Sequence, residues 1–135
     1  MRSVRVHAKN EVPRNVGVLG GGQLGQMIAS AAARMGVRIT VLDPTGEPAA
    51  PATLAGAGQV VGVFRGDGAD EAVRALAENA DVLTIEVEHV DCDALEGSGK
   101  DVQPSPDTIR LLQVRLSIHA CSTSRREHDT NGVVL

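Results

Sequence analysis

The sequence predicts an α/β fold built on a doubly wound parallel sheet. Three observations carry that prediction. A short β-branched run enters a glycine cluster and continues into an alanine-rich amphipathic segment ("VGVLGGGQLGQM", residues 16–27). A second β-branched run, "RITVLD", follows at once. Short apolar runs and helical patterns then keep alternating along the chain, and that alternation is the mark of βαβ units.

Arg38–Asp43 and Asn15–Leu19 read as strands, because both are short, β-branched and closed by turn residues. Between them, residues 23–35 read as a helix with Leu24, Met27, Ile28, Ala31 and Ala32 at helical spacing, and Gly36 stands where a C-terminal capping glycine belongs. Residues 44–58, rich in Pro, Ala and Gly, read as a loop with a short helical turn near Thr53 and Leu54. A third strand is expected over residues 59–64. A helix is expected over residues 69–79, with Ala72, Val73, Leu76 and Ala77 on one face and acids in its first turn. A fourth strand follows at residues 82–87. Asp91 is placed to cap a short helix, residues 101–106 form a brief strand ended by prolines, and a last helix begins near Asp107. Right-handed crossovers put the first strand at the centre, with ligands binding beyond the carboxyl ends of the strands.

The 135 residues suffice for one core, assigned to residues 15–113. Residues 1–14 read as a disordered leader, without the apolar stretch of a signal peptide or membrane span. Residues 114–135 lose the apolar period and read as an unrelated, disordered tail. Phe64 is the one aromatic residue and the net charge is −4, which speaks against nucleic-acid binding by stacking or by charge. Cys92 and Cys121 lie far apart, so neither a disulfide framework nor a zinc site is expected, and a reducing, cytoplasmic setting is.

Gly20, Gly22 and Gly25 satisfy G-x-G-x-x-G, and Asp43 ends the second strand 18 positions after Gly25. The first glycine permits the turn, the second admits a ligand to the backbone, and the third lets helix and strand pack closely. The helix start then offers free N–H groups to an anion. Asp43 suits an adenine ribose in a dinucleotide site, or simply the turn chemistry before Pro44. The run "LTIEVEHVD" brings Glu86, Glu88 and Asp91 to the end of the fourth strand. On an extended backbone Glu86 and Glu88 point the same way. Carboxylates beside a diphosphate repel it, so the pattern favours one phosphate with an amine or hydroxyls nearby. His89 lacks a second metal ligand, and Cys92 lacks a neighbouring base.

These residues carry a resemblance. "VGVLGGGQLGQM", "ITVLDP", "ADVLTIEVEHVDCDALE" and "PSPDTIRLLQ" are similar, in order and spacing, to the N-terminal domain of N5-carboxyaminoimidazole ribonucleotide synthetases. "VEHVD" is closest to the form found in the fungal bifunctional phosphoribosylaminoimidazole carboxylases. The resemblance covers roughly residues 15–113. It implies a Rossmann-like pre-ATP-grasp domain from a purine-biosynthesis enzyme. Such enzymes use ATP and bicarbonate to carboxylate the exocyclic amine of aminoimidazole ribonucleotide, with Mg2+ at the nucleotide.

The resemblance also implies roles. Gly22, Gln23 and Leu24 would face the substrate phosphate or ribose. Glu86 or Glu88 would meet the ribose or amine side. Arg115 stands where the family has a basic residue at the nucleotide. Two departures stand out: Gln26 replaces the family's Arg, and Val114-Arg115 replaces an Asp-Arg or Asp-Lys pair. The valine codon begins with GT, as introns do, which is the form a retained intron would take. No catalytic residue and no metal ligand is expected here, and ATP and Mg2+ belong to the full-length family. The expected partner is aminoimidazole ribonucleotide, with no membrane and with self-association through an exposed domain edge. Two other readings remain: an NAD(P)-binding domain of an oxidoreductase, and a non-catalytic binding fragment.

Overall fold

A computed structural model describes residues 13–127, with side chains through residue 116. The assigned leader therefore lies almost entirely outside the described residues, as do the last eight residues of the assigned tail. Five parallel strands form one sheet: β1 (Asn15–Leu19), β2 (Arg38–Asp43), β3 (Gly58–Val61), β4 (Val82–Ile85) and β5 (Asp101–Gln103). Their order is β3-β2-β1-β4-β5, so the first strand is central and the sheet is doubly wound. The expected α/β class and topology hold.

Among the described residues, four α-helices flank the sheet: α1 (Gln23–Arg34), α2 (Ala69–Glu78), α3 (Cys92–Gly97) and α4 (Pro106–Glu127). A 3-10 turn at Pro51–Ala55 lies where the expected short turn was placed. Successive strand residues alternate between two cores. Leu19, Leu42 and Leu83 join Val73, Leu76, Leu95 and Ile109 on the face covered by α2, α3 and α4. Val18, Ile39 and Val41 join Ala29, Ala32 and Ala52 beneath α1 and the 3-10 turn. Burying each of the large chains contributes about 1.5–3 kcal/mol.

The differences from the sequence reading have local causes. β3 stops at Val61 instead of residue 64 because β2, its only neighbour among the described residues, ends at Asp43, the partner of Val61. β4 stops at Ile85 instead of residue 87. Beyond it the Glu86 and Val87 amides both turn onto the Leu19 carbonyl, at 2.8 and 3.3 Å, and the chain folds over the end of β1. α1 buries Gly25, Ala29 and Ala32, while Leu24, Met27 and Ala31 face outward. Small residues let this helix sit close to the sheet, so the larger side chains are left on the outer side.

The last helix differs most. It begins at Pro106 and runs through Glu127, across the point where the family resemblance ends. Residues 114–127, read from composition as part of a tail, continue that helix. Within it Ile109 is buried, while Leu111, Leu112, Val114 and Leu116 are exposed.

Candidate functional site

The glycine turn sits at the carboxyl end of central β1. Gly20 leaves the strand with φ of 118°, a left-handed conformation open to glycine. Its N–H donates to the Leu42 carbonyl at 2.9 Å, which extends the β1–β2 ladder into the turn. A Cβ here would collide with the Glu86 carboxylate, which folds over the turn. Gly21 is boxed in: its N–H donates to Asp43 Oδ2 at 2.8 Å, and its carbonyl accepts from Ala52 N at 2.9 Å. Gly22 is the N-terminal cap of α1, has no side-chain cap bond, and faces open space. At Gly25, a Cβ would lie 2.8 Å from the Gly20 carbonyl oxygen, so this glycine sets how closely the helix meets the turn.

The α1 ladder begins with Gln26 N donating to Gly22 O at 2.9 Å. The amides of Gln23 and Leu24, ahead of it, belong to the first turn and carry the helix's partial positive charge. Both residues are exposed. The three expected phosphate-facing residues thus share one open helix start, beside a turn pinned from behind.

Asp43 is that pin. It is 8% exposed, and its second oxygen accepts from Thr45 N at 2.9 Å. Burial pushes its carboxyl up. Hydrogen bonds from the Thr45 side chain and backbone and from the Gly21 backbone outweigh this and hold it below the ordinary carboxylate range. Of its two sequence readings, the structure favours the architectural one: both oxygens are engaged by the chain itself.

The two glutamates are not a pair. The backbone bends through residues 86–88, so the extended geometry that would align them is absent. Glu86 is half-buried over Gly20, while Glu88 is exposed and its carbonyl accepts from Gln113 Nε2 at 2.8 Å. Asp91 caps α3, its Oδ1 accepting from Asp93 N at 3.0 Å and Ala94 N at 3.1 Å. His89 packs edge-on against Phe64, with ring centroids 5.6 Å apart. Cys92 is buried, and burial raises its thiol pKa, the opposite of an activated nucleophile. Arg115 lies exposed on α4, two residues past Gln113 and so about 200° around the helix from it. It turns away from the loop that Gln113 touches. Sequence reasoning missed Gln113 itself, since an amide two dozen residues from its backbone partners leaves no local pattern.

A parallel sheet wound on both sides, with a glycine turn feeding an open helix start at the central strand and an acid folded over it, defines a doubly wound α/β domain of the Rossmann-like kind. Residues 14–113 match the model of the ribonucleotide synthetase preATP-grasp domain, and the chain belongs to that family. It is 43% identical over 105 residues to the phosphoribosylaminoimidazole carboxylase of Candida glabrata, covering 74% of this chain and 18% of that protein. The carboxyaminoimidazole ribonucleotide synthase of Aspergillus clavatus, solved with ATP, is 46% identical with a TM-score of 0.61, over 72% of this chain and 25% of that one. The structure of the Aspergillus clavatus N5-carboxyaminoimidazole synthase with ADP and 5-aminoimidazole ribonucleotide is 44% identical with a TM-score of 0.59, over the same shares. The chain thus spans about a fifth of the curated relative's length.

Proposed function

We propose that this domain holds the phosphate and ribose of 5-aminoimidazole ribonucleotide, as part of the purine-biosynthesis carboxylation its family performs. One observation carries the reading: Gly22, Gln23 and Leu24 present an open helix start, and Glu86 stands over the adjoining turn. The helix amides suit a phosphate dianion. A carboxylate at the side suits hydroxyl or amine donors and disfavours a second phosphate. The Aspergillus clavatus synthase solved with that ribonucleotide supports the reading. Of the two acids, Glu86 is the one we assign to the substrate. The dinucleotide alternative is weakened because Asp43, its ribose ligand, is spent on Gly21 and Thr45.

ATP and Mg2+ serve the full-length family, but the described residues do not fit them. Arg115 turns from the site, and among the described residues no three His, Cys, Asp or Glu side chains converge to hold a metal. No nucleotide step is therefore assigned to these side chains. Exposed Leu111, Leu112, Val114 and Leu116 give the chain a surface for self-association. No helix among the described residues is long and apolar enough to cross a membrane.

Calorimetric titration tests this. The ribonucleotide should bind the 135-residue chain, NAD should not, and Glu86→Gln should weaken the ribonucleotide by roughly tenfold. Addition of ATP and bicarbonate should release no ADP above background. NAD binding with no ribonucleotide binding would overturn the assignment.

A further inference from the structure

Glu86 reaches the glycine turn because the loop that follows β4 is held in place, and its attachments come from several elements. The Glu86 and Val87 amides donate to Leu19 O on β1. The Asp91 amide donates to Phe64 O at 2.8 Å, and the Phe64 ring meets His89. Between these ends, Gln113 Nε2 donates to Glu88 O at 2.8 Å and to Val90 O at 2.9 Å. One primary amide has two N–H bonds, and here each finds a carbonyl. Gln113 Oε1 also faces Cys92 Sγ at 3.9 Å, at the start of α3.

Gln113 is itself well anchored. Ile109, four residues earlier and so on the same face of α4, is fully buried in the core. Arg110, three residues earlier, pairs with Asp93 and Glu96 of α3, each at 2.5 Å. The first two turns of α4 are thus fixed against α3, and the side chain that follows grips the loop.

We propose that Gln113 is a positioning residue whose amide clamps the Glu88 and Val90 carbonyls, holding the loop that carries Glu86 over the glycine turn and tying the site's geometry to the placement of α4. The importance of that geometry for ligand binding rests on the ribonucleotide reading above; the clamp does not. Gln113 touches no proposed ligand and acts through the loop. Because α4 extends well beyond Gln113, whatever shifts this helix moves Glu86 relative to Gly20.

The test uses the 15N-labelled chain and its Gln113→Met variant, which keeps volume and removes both donors. Amide exchange at Glu86, Val87 and Asp91 should quicken by about tenfold, in line with the loss of two hydrogen bonds. Exchange at Val18, Val41 and Leu83 in the sheet should stay as in wild type, a separation that a merely structural role would not produce. The dissociation constant for 5-aminoimidazole ribonucleotide should rise by about tenfold. Unchanged loop exchange, or a uniform rise that includes the sheet, overturns the clamp. Loosened loop exchange with unaltered ribonucleotide affinity overturns its positioning role. If the wild-type chain binds no ribonucleotide, the substrate reading fails alone and the exchange pattern still decides the clamp. Should Gln113→Met not fold, through-hydrogen-bond couplings from the wild-type Gln113 amide to the Glu88 and Val90 carbonyls support the clamp by their presence and overturn it by their absence.

Discussion

Replacing Asp43 with alanine should cost the domain a large part of its stability and loosen the glycine turn together. The carboxylate accepts from Gly21 N at 2.8 Å and Thr45 N at 2.9 Å while only 8% exposed. Hydrogen bonds to a charged group are worth about 1.5–3 kcal/mol, and a buried N–H left unpaired costs about 1–3 kcal/mol. The two overlap, so a loss of roughly 2–4 kcal/mol is expected, out of a total of about 5–15 kcal/mol for a domain. Urea unfolding at pH 7 measures it, and Asp43→Asn should fall between the two because it keeps one acceptor. The pH dependence follows from the sign of the pKa shift. The carboxyl is lowered in the folded state, so its contribution is full above the unfolded pKa near 3.9 and is lost as pH falls through the lower folded value. Wild type should therefore lose this increment on acidification below about pH 4, and Asp43→Ala should lack it. If Asp43→Ala matched wild-type stability at pH 7 within about 0.5 kcal/mol, the pin would carry no weight.

Two further substitutions probe the same region. Gly25→Ala places a methyl 2.8 Å from the Gly20 carbonyl, which must push α1 off the turn; we expect a loss of about 1–3 kcal/mol in denaturant and weaker ribonucleotide binding by calorimetry. Asp91→Ala removes the cap of α3 and should cost about 1 kcal/mol, read as a lowered urea midpoint with ligand affinity nearly kept.

Much of this molecule was legible in its sequence because the signals were local. Strand, glycine turn, helix and strand follow one another within residues 15–43, and each has its own pattern of β-branching, glycine or alanine. Gly36 and Asp91 were read as caps, and both are: Gly36 lies at φ of 71° just past α1, and Asp91 caps α3. Capping depends on residues a few positions apart, within reach of a sequence pattern.

What the tertiary structure alone decided depends on distant partners. Whether Asp43 serves a ligand or the fold turned on Gly21, 22 residues away. Whether Glu86 and Glu88 act together turned on where β1 ends, since the Glu86 and Val87 amides turn onto Leu19 O, Glu86 lies over Gly20 and Glu88 is exposed. The outward set of Leu24 and Met27 followed from how closely α1 approaches the sheet. Gln113, set 23 and 25 residues from its two carbonyl partners, could be seen only once α4 was packed. Local propensity and pattern therefore determined the elements, their order and the glycine turn. The direction of each acid, and the amide that holds one of them in place, came from contacts across the fold that no short stretch of sequence encodes.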